Sequence, residues 1–218
     1  MTKKEEAELK RAAKLEAERE RIEGMKVYEK AHSDCMYICG IDEAGRGPFA
    51  GPVVAGAVIL DPSKEILYLN ESKKLSEKKR EELYDVIMEN AISVGVGIVD
   101  SRTIDEINIL QATYLAMRKA IAELDPQPDY ILADAVHIPG IDIPQEGIIK
   151  GDAKSISIAA GSIIAKVTRD RMMYEYDKQY PEYGFASHKG YGTAAHIEAI
   201  KKYGPLDIHR RTFIHKYI

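Results

Sequence analysis

Three short apolar runs in this chain each end in an acid: residues 36–41 before Asp42, 130–133 before Asp134 and 147–151 before Asp152. Runs of this length, rich in β-branched residues and bounded by Gly or Pro, predict buried strands. Ligands of open α/β sheets gather outside the carboxyl ends of parallel strands. Neighbouring strands would therefore bring Asp42, Glu43, Asp134 and Asp152 together from distant sequence. Unpaired, four carboxylates repel and raise one another's pKa, and a divalent cation turns that arrangement into a stabilising one. The pattern thus predicts an α/β fold with an all-oxygen metal site at one sheet edge.

The first acid pair opens into Gly45-Arg46-Gly47-Pro48. Glycines let a nucleic-acid backbone approach the main chain closely, and arginine adds a planar fork suited to phosphate or base. Negative charge beside exposed backbone donors and a guanidinium is an arrangement for processing phosphates.

Between these runs, residues 53–60 and 92–99 predict a second and a third strand, with Gly95 and Gly97 marking close backbone contact. Ser76 is placed to cap a helix whose buried side carries Leu83 and Ile87. Residues 104–124, 155–180 and 193–203 complete the helices, the last stopped by Gly204-Pro205. Asp134 and Asp152 end the fourth and fifth strands. The order predicts a mixed five-stranded central sheet with helices on both faces. Residues 1–34 differ: a proline-free helix alternating Lys/Arg with Glu, with a thin stripe of Leu15, Ile22 and Met25, followed by the linker 32–34. It is expected to be an exposed extension, either solvated or docked to another protein, with the catalytic domain over 35–218.

Composition sets bounds. The chain of 218 residues buries one full core. Cys35 and Cys39 are too few for a disulfide framework or a complete zinc site, and the start lacks the hydrophobic segment of a signal peptide, so a cytoplasmic protein is expected, with no membrane contact. The net charge of −4 is uneven: from Gly184 onward six Lys/Arg face only Glu198 and Asp207, and four of the six histidines lie there. That segment is expected to join a basic, substrate-facing surface, with His188, Lys189, Arg210 and Arg211 as candidates.

Six blocks then carry a resemblance. The stretch 42–48, Gly51-Pro52-Val53-Val54, Ser72-Lys73-Lys74-Leu75-Ser76, Lys150-Gly151-Asp152, residues 165–170 and His188-Lys189-Gly190-Tyr191, in that order, resemble bacterial ribonuclease HII, over roughly residues 37–213. The resemblance implies a ribonuclease H-like sheet and hydrolysis of the RNA strand at ribonucleotides joined to or embedded in DNA. Cutting would fall on the 5′ side of the ribonucleotide and leave a 3′-hydroxyl and a 5′-phosphate. Asp42, Glu43, Asp134 and Asp152 are expected to hold two Mg²⁺ or Mn²⁺ ions about 4 Å apart around the scissile phosphate. Both Asp152 and Asp170 lie in matching blocks. Asp152 stands at a predicted strand end, whereas Asp170 lies about 22 Å of helix rise beyond Ser155, so Asp152 is taken as the ligand and Asp170 as the partner of a nearby base. By resemblance Gly45, Arg46 and Gly47 meet the ribonucleotide and its phosphates, and Tyr191 packs on the following sugar; Ser72, Lys73 and Lys74 are expected on the DNA backbone. The partners implied are RNA/DNA hybrid and ribonucleotide-containing duplex DNA, bound by a monomer. Glu71 stands where relatives often have Asp, a change that keeps the charge. Ribonuclease HIII is the nearest rival reading, although it generally carries an added N-terminal domain; a catalytically silent hybrid-binding module is the non-enzymatic one.

Overall fold

The computed structural model describes residues 2–218. In chain order it contains α1 (Lys3–Gly24), α2 (Val27–Ala31), β1 (Ile38–Ala44), β2 (Val53–Leu60), a 3₁₀ turn (Ser72–Lys74), α3 (Glu77–Asn90), β3 (Ala91–Val99), α4 (Ser101–Ala122), β4 (Tyr130–Asp134), β5 (Gln145–Ile148), a second 3₁₀ turn (Gly151–Ala153), α5 (Ile156–Gln179), a third (Pro181–Tyr183), α6 (Phe185–His188), α7 (Ala194–Tyr203) and α8 (Arg211–Ile214). The five strands form one sheet in the order β3-β2-β1-β4-β5. β1 is antiparallel to β2 and parallel to β4, β4 is parallel to β5, and β3 is antiparallel to β2. The sheet is mixed, as its pattern of runs predicts.

Strand side chains alternate between faces, and here the alternation sorts two cores. Cys39, Ile41, Val53, Ala55, Ala57 and Ile59 pack with Ala112, Ala116, Met117 and Ala120 of α4. Val58 on the opposite face packs with Ala159, Ala160, Ile163 and Ile164 of α5 and with Leu83 and Ile87 of α3. Helices rest almost directly on the sheet because glycines leave room: a Cβ at Gly97 would lie 1.8 Å from the Ala116 carbonyl oxygen, and one at Gly40 would lie 2.0 Å from the Ser157 carbonyl carbon. The long helix α5 begins at an Ser155 N-cap, whose side chain accepts from the Ile158 N–H. This holds its first turns against β1.

Four expectations change. β1 does not stop before Asp42 but continues to Ala44, with Asp42 and Glu43 paired to Gly56 and Ala55 of β2; β2 extends far enough to keep the ladder going, so the acids lie inside a strand. β5 ends at Ile148, and Lys150 in a left-handed conformation turns the chain so that Asp152 sits in the following 3₁₀ turn. The helix expected over 104–124 starts earlier, because Asp100 caps it at Thr103, and it is broken at Asn108, whose φ is 66°. Finally, the N-terminal helix is exposed over its first half only. Ile22 and Met25 are buried in the α3/α5 core. The Arg21 guanidinium donates to the Leu69 carbonyl, and Glu29 Oε1 accepts from the Ser155 hydroxyl and the Ser157 N–H. Its charged composition hides this because the contact rests on just two apolar side chains, Ile22 and Met25, three positions apart, while the other faces stay wet. Among the described residues no helix is long and apolar enough to cross a membrane.

Candidate active site

β4 stops pairing with β1 at the Ile41–Ala133 position, so β1 runs on past it with Asp42 and Glu43. Beside this free edge lie Asp134 at the end of β4 and Asp152 in the turn after β5. All four acids line one cleft of about 610 Å³, together with Gly45, Arg46, Gly47, Ser72, Lys73, Ser162, Lys166, Arg169 and Tyr191. Acids up to 110 positions apart, Asp42 and Asp152, are thus gathered by the parallel β1-β4-β5 half of the sheet.

The electrostatics follow from burial and crowding. Asp42 is only 6% exposed; burial, then the Glu43 charge, pushes its carboxyl well above the usual carboxylate range, with partial relief from the Ser162 hydroxyl. Glu43 is raised by burial, against the pull of Arg46, and by Asp134. Asp152 is raised by burial, then by Asp134 and Glu71. An array of oxygen donors, held where they resist ionising together, suits hard divalent cations. The side chains are not drawn into a finished cage: among the described residues no group of three or more His, Cys, Asp or Glu converges as metal ligands. Several oxygens instead turn to local donors. Asp42 Oδ1 accepts from the Glu43 N–H at 2.7 Å, and Asp134 Oδ1 accepts from the Gly151 N–H at 2.6 Å. The second bond also ties the Asp152 turn to the end of β4.

Two buried guanidiniums brace the Gly45–Gly47 loop, Arg210 by bonding to it directly and Arg169 by packing against Gly45 and bonding to the chain that follows. Arg210 is fully buried and donates to the carbonyls of Gly45 at 2.6 Å, Arg46 at 2.8 Å and Gly51 at 2.9 and 3.1 Å. Arg169 donates to the carbonyls of Ala50, Pro52 and Lys189. Burial pushes Arg210 down to about 9 and Arg169 to about 10, and neither has a carboxylate within ion-pairing distance among the described residues. Gly45 itself has φ +95°, and a Cβ there would lie 2.1 Å from Arg169 Nε. The loop therefore needs glycine for both its backbone angle and the arginine behind it. The loop's residues line the cleft with the Gly45 and Arg46 carbonyls already engaged.

The substrate candidates divide. Tyr191 is 47% exposed at the cleft and lies against Gly47. Lys73 lines the cleft, whereas Lys74 lies outside it, paired with Glu71. Ser72 borders the cleft but is buried, its hydroxyl 2.9 Å from that of Ser162, a position less available to a DNA backbone than expected. Arg210 is corrected from surface candidate to buried scaffold. Lys189 meets the Tyr174 ring and hydroxyl, His188 is engaged with Tyr183 and Gly190, and Arg211 is exposed. The basic C-terminal surface is accordingly thinner than the residue count predicts. Asp170 is buried away from the cleft lining, 2.7 Å from Lys166 and 3.9 Å from Arg80. Arg169 was legible only as a member of its block, since a buried arginine without an acid partner has no local sequence signature.

Comparison with known proteins decides the family. The family model described as Ribonuclease HII matches residues 39–216. The chain belongs to the ribonuclease HII family. It is an endoribonuclease of the type 2 ribonuclease H class. A ribonuclease HII from Lachnoclostridium phytofermentans is 64% identical over 204 residues, covering 94% of this chain and 80% of that protein. The ribonuclease H2 structure from Pyrococcus horikoshii OT3 superposes with a TM-score of 0.69 at 30% identity, covering 84% of this chain and 97% of the other. Bst-RNase HIII, solved in complex with Mn²⁺, shares the fold at 18% identity and a TM-score of 0.60, covering 77% of this chain and 63% of the other. The ribonuclease HII family model resolves the choice between the two types that the acidic motif alone left open.

Proposed function

We propose that this ribonuclease HII family member cuts the RNA strand of RNA/DNA hybrids and cuts duplex DNA on the 5′ side of a single embedded ribonucleotide, leaving a 3′-hydroxyl and a 5′-phosphate. The observation that carries the reading is the sharing of one cleft by four acids, the Gly45–Gly47 loop and Tyr191. Asp42, Glu43, Asp134 and Asp152 would hold two divalent cations, Mg²⁺ or Mn²⁺, the donor set being all oxygen. Bound there, the cations supply neutralisation of phosphate charge and a water of lowered pKa. The Mn²⁺ complex of Bst-RNase HIII supports the choice of ions.

The chain's own residues do the selecting. Backbone donors of Gly45–Gly47, a loop whose Gly45 and Arg46 carbonyls are already held by Arg210, hydrogen-bond the phosphates and the 2′-hydroxyl, the group that separates RNA from DNA. The Tyr191 ring packs on the sugar that follows and discriminates the junction. Lys73, lining the cleft, holds a flanking phosphate. The enzyme works as a monomer in the cytoplasm, a compartment in keeping with two free thiols, Cys35 and Cys39.

The test is Asp134→Asn. Losing one ligand charge at the edge of the cleft removes most cleavage, while hybrid binding, dominated by phosphate contacts elsewhere, stays measurable. Near-normal turnover of the folded variant at saturating Mg²⁺ would contradict the ligand assignment.

A further inference from the structure

Behind Tyr191 lies a run of imidazoles that the cleft chemistry does not use. His196 and His209 are buried, and the His188 and His196 rings stack at 4.5 Å with an interplanar angle of 16°. All six ring nitrogens of the three histidines have partners, and the partners determine the protons. The Leu206 N–H can only donate, and it points at His209 Nδ1 at 2.9 Å. That nitrogen must be unprotonated, so neutral His209 carries its proton on Nε2. From the other end, the Tyr191 carbonyl can only accept, and it lies 2.9 Å from His196 Nδ1. That nitrogen must carry the proton, leaving His196 Nε2 with a lone pair. Where the two rings meet, His209 Nε2 is 3.0 Å from His196 Nε2, a donor facing an acceptor. Burial, which pushes both imidazoles down to about 4, keeps both neutral near neutral pH.

The result is a one-way chain of hydrogen bonds from the Leu206 N–H through His209 and His196 to the Tyr191 carbonyl. We propose that His209 and His196 are positioning residues that fix the Tyr191 backbone, and through it the ring facing the substrate sugar, so that they set the enzyme's preference for isolated ribonucleotides. The proposal rests on the reading of Tyr191 as the group that meets the sugar. The surroundings support a positioning role. The Tyr191 carbonyl also accepts from the Thr193 N–H, the Tyr191 N–H donates to the His188 carbonyl, and Gly190 is held by Phe49 and Ala50. The tyrosine's backbone is thus anchored on both sides while its ring stays open to the cleft. His209 immediately precedes Arg210, so one short segment supports both walls: the arginine holds the Gly45 loop and the histidine holds Tyr191.

Two measurements test this. In wild-type protein with ¹⁵N-labelled histidines near neutral pH, long-range ¹H–¹⁵N correlations should report Nε2–H for His209 and Nδ1–H for His196; any other pair of states overturns the chain. The second compares kcat/KM for a duplex with one ribonucleotide against a long RNA/DNA hybrid, both with Mg²⁺. His209→Phe, which keeps an aromatic ring but loses the donor, should lower this ratio roughly fivefold, the worth of about one net hydrogen bond. His209→Gln, with an amide donor near the Nε2 position, should restore most of it. In a Tyr191→Ala background, His209→Phe should have no further effect on the ratio. An equal loss on both substrates, or no rescue by Gln, overturns the positioning role. If Tyr191→Ala itself leaves the ratio unchanged, the sugar-sensing reading of Tyr191 falls, and this proposal with it. If Tyr191→Ala lowers the ratio and His209→Phe does not, the histidine chain alone is refuted.

Discussion

Replacing Arg210 with Met probes how the Gly45–Gly47 loop is held. The change keeps an unbranched chain of similar reach and deletes four hydrogen bonds to three carbonyls. Arg46 is exposed, so water can replace the bond to its carbonyl; Gly45 and Gly51 are buried, and their carbonyls are left dry. An orphaned buried acceptor costs about 1–3 kcal/mol, which makes roughly 2–6 kcal/mol for the pair. Removing a buried cation with no carboxylate partner offsets part of this, leaving a net loss of about 2–4 kcal/mol. The cost concentrates on the loop beside the acids. A displacement there of about 1 Å lowers cleavage on the order of a hundredfold. Urea unfolding gives the stability and single-turnover cleavage gives the rate. Arg210→Lys should be nearly as damaged, since one ammonium cannot fork to three carbonyls. Near-wild-type cleavage by a folded Arg210→Met enzyme would refute the claim that this guanidinium sets the loop.

Other outcomes follow from the same geometry. Because burial and neighbouring charge raise the Asp42 carboxyl in the folded state, its ionisation destabilises the metal-free fold as pH rises above the ordinary carboxylate range. Asp42→Asn should therefore melt higher than wild type at neutral pH without metal, lose that advantage as pH falls from the raised folded value to the ordinary carboxylate value, and fail to gain the wild type's stabilisation by Mg²⁺; a metal-free wild type that melts as high as the variant at neutral pH would contradict this. His196 and His209 work in the opposite sense: with folded values near 4 against an ordinary 6.5, their contribution is present above about pH 6.5 and is lost as pH falls toward 4, so replacing both should flatten the acid limb of the melting curve. Deleting residues 1–17 should leave the melting temperature almost unchanged, whereas deleting 1–33 should lower it clearly, since burying Ile22 and Met25 contributes about 1.5–3 kcal/mol each; differential scanning calorimetry of the two truncations distinguishes them. Asp170→Asn should retain far more cleavage than Asp152→Asn when both fold, and equal loss with matched melting would count against Asp152 as the ligand.

What could be read from sequence was whatever has a local or periodic signature. Short β-branched runs bounded by Gly or Pro marked the strands, Ser76 marked a helix start, and an acid after an apolar run marked the cleft edge. Three features escaped because they depend on pairing in space. β1 passes through Asp42 and Glu43 because β2 continues beside it, a fact of register that neither strand carries alone. Asp152 lies in a turn because Lys150 takes a left-handed conformation, stabilised by the Gly151 bond to Asp134. Arg210, exposed by every compositional expectation, is buried because loop carbonyls more than 150 positions earlier surround it. The histidines likewise looked like part of a basic surface, and only their partners reveal neutral rings joined in a directional chain.

The central claim, that the acid-lined cleft selects a ribonucleotide and cuts beside it, is tested most directly by one end-labelled DNA duplex carrying a single ribonucleotide, incubated with and without Mg²⁺ beside an all-DNA control and resolved on a sequencing gel. The account predicts one Mg²⁺-dependent cut on the 5′ side of the ribonucleotide, with a 3′-hydroxyl and a 5′-phosphate, and an intact control. Cutting of the all-DNA duplex at a similar rate, or no cut at the ribonucleotide, would contradict it.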